Sequence, residues 1–166
     1  LTDFEVGKNA SFSANNGSVS VIGDSDVTLG GSIHTSAKNS DPETAASVTV
    51  GAEGILNVTD DAATITADNG FVNVYGGRGM SIMNDLTIIS SEDARILTDS
   101  GNLSIGNGAT VKAGTQSGLA QQKYGRIFVS AGDAFAIGDN ATLLADNLFV
   151  GALGDIRFGD KATLVG

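Results

Sequence analysis

Apolar and polar residues alternate along most of the chain in short runs, and many of these runs end at a glycine. The clearest copies read FEVGKNASF, LSIGNGATV, FAIGDNATL and IRFGDKATL. Alternation with a period of two predicts short β-strands that each bury one face. The glycines that end these runs are Gly7, Gly30, Gly51, Gly76, Gly106, Gly138 and Gly159, at spacings of 23, 21, 25, 30, 32 and 21 residues. A strand-and-turn unit that recurs at such a period is typical of a solenoid.

The residue before each of these glycines is apolar. Six of these residues are predicted to form a single buried column, one on each of six coils: Val6, Leu29, Val50, Ile105, Ile137 and Phe158. Each glycine is predicted to lie at a corner, where a positive φ or a close backbone approach excludes a side chain.

Residues 135–156 contain one complete unit, with strands predicted near 135–137, 141–143 and 148–150 before the next unit opens at Ile156. Three short strands in about 21 residues make a triangular coil, and each strand pairs with its counterpart one coil away. The sequence therefore predicts an all-β fold, a single-stranded parallel β-helix of about seven coils. We expect it to be right-handed and to form one domain over residues 1–166.

Weak third-strand patterning in a coil of normal length predicts a loop excursion near 36–47. Departures from the 21-residue spacing predict two more, near 90–102, where Ala94 and Ile96 could instead form a strand, and near 115–125. The last of these, TQSGLAQQKYG, is expected to leave the coil between its second and third strands. Loops on a rigid scaffold often carry binding residues, so 36–47 and 115–125 are the candidate binding loops. Strand patterning runs from Phe4 to Leu164 without an evident cap, which favours a segment of a longer chain.

Composition narrows the choice of partner. The 166 residues carry a net charge of −10, which disfavours nucleic acid and anionic membranes as partners. There is no cysteine, so disulfides and thiolate metal sites are excluded. No apolar run is long enough to insert this segment into a membrane as a helix.

No pattern of residues predicts catalytic, cofactor-binding or metal-binding side chains. His34 is the single histidine and is expected to be an exposed residue rather than a base. The outward columns are predicted to lack an acidic cluster. On strand one the column is Glu5, Thr28, Thr49, Asn73, Ser104, Ala136 and Arg157, and on strand two it is Ser11, His34, Ile55, Met80, Thr110, Thr142 and Thr163. The adjacent acids, such as Glu92 with Asp93, are interpreted as solvated turn residues.

The repeat units, their N-G and D-N corners, the lack of cysteine and the acidic charge resemble the passenger repeats of Gram-negative type V secreted adhesins. Filamentous haemagglutinin-like two-partner exoproteins and classical autotransporters are the groups concerned, and the resemblance covers residues 4–165. It implies a long fibre at the bacterial cell surface or secreted from the cell, which contributes to cell adhesion and virulence. It supplies no catalytic residues.

These observations lead to a first hypothesis. The chain is a non-enzymatic, structural or adhesive segment that forms a stiff shaft and stacks on neighbouring coils of the same longer chain. Its partner would be a protein or glycan receptor on a host-cell, matrix or bacterial surface, with no cofactor, nucleic acid or membrane insertion. The alternative is a polysaccharide lyase or hydrolase, or a phage tailspike-like depolymerase, that uses carboxylates from neighbouring coils with Arg126 or Arg157. A third hypothesis is head-to-tail self-association through the coil ends.

Overall fold

The computed structural model describes residues 3–15, 17–36, 46–59, 63–119 and 123–166. Within these ranges the strands form three parallel sheets that wrap around one apolar interior. The predicted all-β parallel β-helix of about seven coils is confirmed. No helix in the described part of the chain is long and apolar enough to span a bilayer.

Each sheet takes one strand from each successive coil. Sheet A contains β1 (Phe4–Val6), β4 (Val27–Leu29), β7 (Ile55–Val58), β10 (Gly79–Ile82), β13 (Leu103–Ile105), β16 (Phe135–Ile137) and β19 (Ile156–Phe158). Sheet B contains β2 (Ser11–Asn15), β5 (Ser32–Ser36), β8 (Thr64–Ala67), β11 (Thr87–Ser90), β14 (Thr110–Ala113), β17 (Thr142–Leu144) and β20 (Thr163–Val165). Sheet C contains β3 (Val19–Gly23), β6 (Val48–Ala52), β9 (Val72–Gly76), β12 (Ala94–Thr98), β15 (Arg126–Ala131) and β18 (Asn147–Ala152).

The interior consists of columns of apolar side chains at matched register, which follow from alternation within strands and parallel pairing between coils. On sheet A the central column is Val6, Leu29, Val58, Ile82, Ile105, Ile137 and Phe158. The central column on sheet C is Val21, Val50, Val74, Ile96, Val129 and Val150. In the middle coils these side chains are fully buried by the coils on either side.

The predicted buried column is wrong at Val50. Val50 lies on sheet C between Val21 and Val74, and the sheet A column continues from Leu29 through Val58 and Ile82 instead. Strands of both sheets can end in an apolar residue followed by glycine, so the pattern alone does not identify the sheet. Gly51 lies on sheet C opposite Tyr75, and the ring of Tyr75 covers it and leaves no room for a side chain.

This correction changes the coil lengths. Equivalent sheet A residues are spaced 23, 29, 24, 23, 32 and 21 residues apart: Phe4, Val27, Leu56, Met80, Leu103, Phe135 and Ile156. The excursion predicted near 90–102 is therefore wrong, and the alternative of a strand at Ala94 and Ile96 is correct, since this range contains β12, which pairs with β9 and β15. The extra length instead belongs to the coil containing 36–47, of which 37–45 lie outside the described residues.

The 115–125 excursion does lie between the second and third strands of its coil, between β14 and β15. It begins with a short 3-10 turn at Gly114–Gln116, and residues 120–122 lie outside the described ranges. The Asp146 carboxylate closes its base by accepting hydrogen bonds from the backbone N–H groups of Thr115 (2.9 Å) and Gly125 (2.8 Å). Partial burial alone would raise the pKa of this carboxyl, but the hydrogen bonds from Thr115 and Gly125 lower it.

Candidate binding groove on sheet C

The candidate functional residues considered in the sequence analysis lie far apart on the molecule. His34 is exposed, as predicted, and its Nε2 lies 3.1 Å from a carboxylate oxygen of Asp68. Asp26 accepts hydrogen bonds from the Ile55 N–H (2.8 Å) and the Arg78 guanidinium (3.0 Å), and it therefore ties neighbouring coils together. The described residues contain no group of three or more His, Cys, Asp or Glu side chains placed to hold a metal ion.

The outward columns differ from their predicted composition because of the register correction. The sheet A column is Glu5, Thr28, Asn57, Ser81, Ser104, Ala136 and Arg157. On sheet B the corrected column consists of hydroxyl side chains throughout: Ser11, Ser32, Thr64, Thr87, Thr110, Thr142 and Thr163. Neither column gathers carboxylates, so the acidic groove that a β-helix glycosidase would need is not built on these two faces.

The outer face of sheet C contains a groove of about 550 Å³ across β12, β15 and β18. The side chains that define this sheet C groove are Asp93, Arg95, Arg126, Phe128, Asn147 and Phe149. A smaller hollow beside it, bordered by Phe71 and Glu92, extends the surface toward the preceding coil. The surface therefore follows the helix axis over four coils.

Parallel register places the groove residues side by side. Arg95 pairs with Phe128, and Phe128 with Phe149, so that the three form one outward column. The two phenylalanine rings stack with centroids 4.5 Å apart and planes 8° from parallel. Phe128 is still 39% exposed although coils flank it on both sides. The outward positions of solenoid strands are usually polar, so an aromatic side chain that remains exposed on such a face indicates a binding surface.

Asp93 organises the charged side of the groove. Its carboxylate accepts hydrogen bonds from the Arg126 backbone N–H (3.0 Å), Nε (3.2 Å) and Nη2 (2.6 Å), and Arg95 Nη2 lies 3.7 Å away. Burial alone would raise the pKa of Asp93. The hydrogen bonds from Arg126 and the positive charges of Arg126 and Arg95 outweigh this effect and hold the pKa below its ordinary value. Asp93 is therefore ionised and holds two guanidinium groups at the groove.

The end of the 115–125 excursion borders the same groove. The Tyr124 hydroxyl accepts a hydrogen bond from the side-chain amide of Asn147, and the Lys123 ammonium pairs with Glu92. Tyr124 is 65% exposed, so its ring adds apolar surface at the rim. Two arginines and one aspartate leave the groove with a net charge of +1, whereas the whole chain carries −10.

Sequence reasoning missed this groove because it followed the outward columns of the first and second strands only. The signal was present in the third strands, which read ARILT, RIFVSA and NLFVGA. Arg95, Phe128 and Phe149 occupy positions that alternation assigns to solvent. The 21-residue separation of Phe128 and Phe149 equals the glycine spacing, but Arg95 joins their column only if residues 94–98 form a strand rather than a loop excursion.

Comparison of the chain with protein-family models, curated proteins and solved structures gave no match.

Proposed function

We propose that this chain is a non-enzymatic adhesive segment of a secreted or surface-exposed bacterial protein of the type V secreted adhesin kind. The stacked coils form a stiff shaft, and the sheet C groove is its ligand-contacting surface. The observation that carries the proposal is an exposed aromatic and guanidinium groove on a rigid sheet. Concave, largely apolar surfaces with a few convergent polar groups are typical binding sites.

The electrostatics of the groove favour binding over glycoside cleavage. Cleavage needs a carboxylic acid whose pKa is raised so that it can protonate the leaving group. The pKa of Asp93 is lowered, and its oxygens are occupied by Arg126. The alternative of a polysaccharide-cleaving enzyme keeps one supporting observation, namely that Arg126 and Asp93 lie together in a groove that a glycan chain could enter.

An attachment assay tests the proposal. Beads coated with the protein are applied to epithelial cells, to immobilised extracellular matrix and to bacterial cells, and bound beads are counted. Phe128→Ala is compared with Ile22→Ala, which truncates a somewhat more exposed apolar residue on the outer face of sheet C away from the groove. We expect the Phe128 variant to weaken attachment roughly tenfold and the Ile22 variant to leave it unchanged.

Three results would contradict the proposal. The first is an absence of attachment to all three surfaces, and the second is attachment that Phe128→Ala leaves intact. The third is sustained release of new reducing ends when the protein is incubated with a panel of polysaccharides, which would favour the enzymatic alternative.

A further inference from the structure

We propose that the sheet C groove binds a glycan chain with well-separated carboxylate groups, an inference that rests on the proposed function and names its ligand class. Two of the four arginines in the chain lie in this groove, next to its two exposed phenylalanines. The adjacent hollow places a third ring, that of Phe71, on the same surface as Arg95.

The guanidinium groups have donors left for an anion. Arg126 uses Nε and Nη2 on Asp93, and Arg95 approaches the same carboxylate only to 3.7 Å. Each guanidinium has five N–H donors arranged as a planar fork that suits a carboxylate. Both arginines are more than half exposed, at 60% for Arg126 and 53% for Arg95, so an incoming anion can reach them.

The charge balance limits how acidic the ligand can be. The groove's net charge of +1 matches one carboxylate, and the acidic remainder of the molecule repels any chain with charges on every unit. Nucleic acids and densely sulfated glycans are therefore disfavoured. A chain that carries one carboxylate among neutral sugars fits the electrostatics.

The backbone of the sheet favours a glycan over an extended peptide. A peptide commonly binds a sheet by adding a strand to a free edge. β12 and β15 are each paired on both sides, so over these two strands the ligand is held by side chains alone. Of the three groove strands only β18 has an unpaired edge, on the side away from β15. Phe128 and Phe149 give an apolar floor for the C–H face of a sugar ring. Coils repeat about every 4.8 Å along the axis, a spacing close to the length of one sugar unit.

Binding of defined oligosaccharides tests the inference by calorimetry. The probes are a hyaluronan hexasaccharide, in which uronates alternate with neutral sugars, the neutral chitin hexasaccharide, and a heparin hexasaccharide with dense charge. We expect the hyaluronan probe to bind at least tenfold more tightly than the other two. Its affinity should fall with added salt because part of the attraction is electrostatic.

Matched variants assign the preference to the groove. Arg95→Gln and Arg157→Gln each remove an exposed arginine that lies near an aspartate two residues before it, at 3.7 and 3.6 Å. We expect Arg95→Gln to abolish the preference for the hyaluronan probe and Arg157→Gln to retain it. Phe128→Ala should weaken the binding of both the hyaluronan and the chitin hexasaccharide. Equal binding of the neutral probe, tighter binding of heparin, or equal losses in the two arginine variants would overturn the inference.

The outcome separates this inference from the proposed function. If beads attach to cells in a manner that depends on Phe128 while the hyaluronan probe neither binds nor competes, the ligand class is wrong and the adhesive function stands. If the probe binds in the groove and is cleaved, the adhesive function is wrong. An intact, competing probe supports both.

Discussion

At the scale of single residues, the corners between sheets A and B are held by a ladder of side-chain hydrogen bonds. The side-chain Oδ1 of Asn84 accepts a hydrogen bond from the backbone N–H of Asn107 (2.9 Å). In the same way, Asn107 Oδ1 accepts from the backbone N–H of Asp139 (2.8 Å), and Asp139 Oδ1 accepts from that of Asp160 (2.7 Å). Residues in the left-handed region share this corner: Asn9, Asp85, Gly108, Asn140 and Lys161. A repeat glycine comes two residues before four of these positions, and Met83 comes two residues before Asp85. Gly106, Gly138 and Gly159 are required for a close backbone approach rather than for a positive φ, whereas Gly7 has open space around it.

Asn107→Ala tests the ladder. The substitution leaves the Asp139 N–H without its partner, so we expect the free energy of unfolding to fall by about 0.5–1.5 kcal/mol. Asn57→Ala, on the outer face of sheet A, is the matched control, with an expected change within about 0.5 kcal/mol. Urea denaturation measures both, and equal changes in the two variants would show that the ladder contributes nothing.

The repeat glycines differ in what surrounds them. A Cβ on Gly138 would lie 2.6 Å from the Asn107 backbone nitrogen and 2.7 Å from the Gly106 carbonyl carbon, whereas a Cβ on Gly7 would meet nothing within 4 Å. We expect Gly138→Ala to destabilise the fold by about 1–3 kcal/mol because backbone must move. Gly7→Ala should change stability by less than about 0.5 kcal/mol. A thermal midpoint for Gly138→Ala as high as that of Gly7→Ala would contradict the close-approach explanation.

At the scale of elements, the strands of the first, fifth, sixth and seventh coils could be predicted from alternation and glycine spacing, as with Leu103–Ile105 and Phe135–Ile137. Val27–Leu29 in the second coil could be predicted as well. The sheet to which Val48–Ala52 belongs could not, because the coil length changes there and Gly51 lies on sheet C rather than sheet A. Assigning a strand to the wrong sheet places its outward residues on the wrong face. Phe128 and Phe149 are 21 residues apart, as the repeat predicts, whereas placing Arg95 in their column requires the register of β12.

The ion pair between Asp93, just before β12, and Arg126 of β15 makes part of the free energy of unfolding depend on pH. The pKa of Asp93 lies below its ordinary value of 3.8 in the folded chain, so the unfolded chain takes up this proton first as pH falls. The contribution is therefore complete above about pH 5 and is lost as pH falls through 3.8 toward the lower folded pKa. We expect Asp93→Asn to reduce stability at pH 7 and to flatten its decline between pH 5 and 3. Parallel curves for the variant and the unmodified protein would contradict this assignment.

At the scale of the whole molecule, each coil contacts mainly the coils next to it, so insertions between strands are tolerated when their ends meet. The backbones of Gly114 and Gly125 lie in contact at the base of the 115–125 excursion. A chain that lacks residues 115–124 can therefore close its coil directly.

Removal of residues 115–124 tests whether the excursion or the groove is the main contact surface. We expect the shortened protein to keep its circular dichroism spectrum and nearly its thermal midpoint, since Asp146 retains its bond from Gly125. Attachment of coated beads should fall, because Tyr124 and Lys123 leave the groove's rim, but by less than in Phe128→Ala. A loss that exceeds the Phe128→Ala loss would make the excursion, rather than sheet C, the main contact surface.

The most direct measurement of the central claim is photo-cross-linking from single positions. A benzophenone side chain is placed at Phe128 in the groove, at Gln116 in the excursion or at Ile22 elsewhere on sheet C, and cross-linking to cell-surface material is quantified after illumination. We expect strong cross-linking from position 128 and little from 116 or 22. Cross-linking from 116 or 22 with none from 128 would contradict the claim that sheet C carries the ligand-contacting surface.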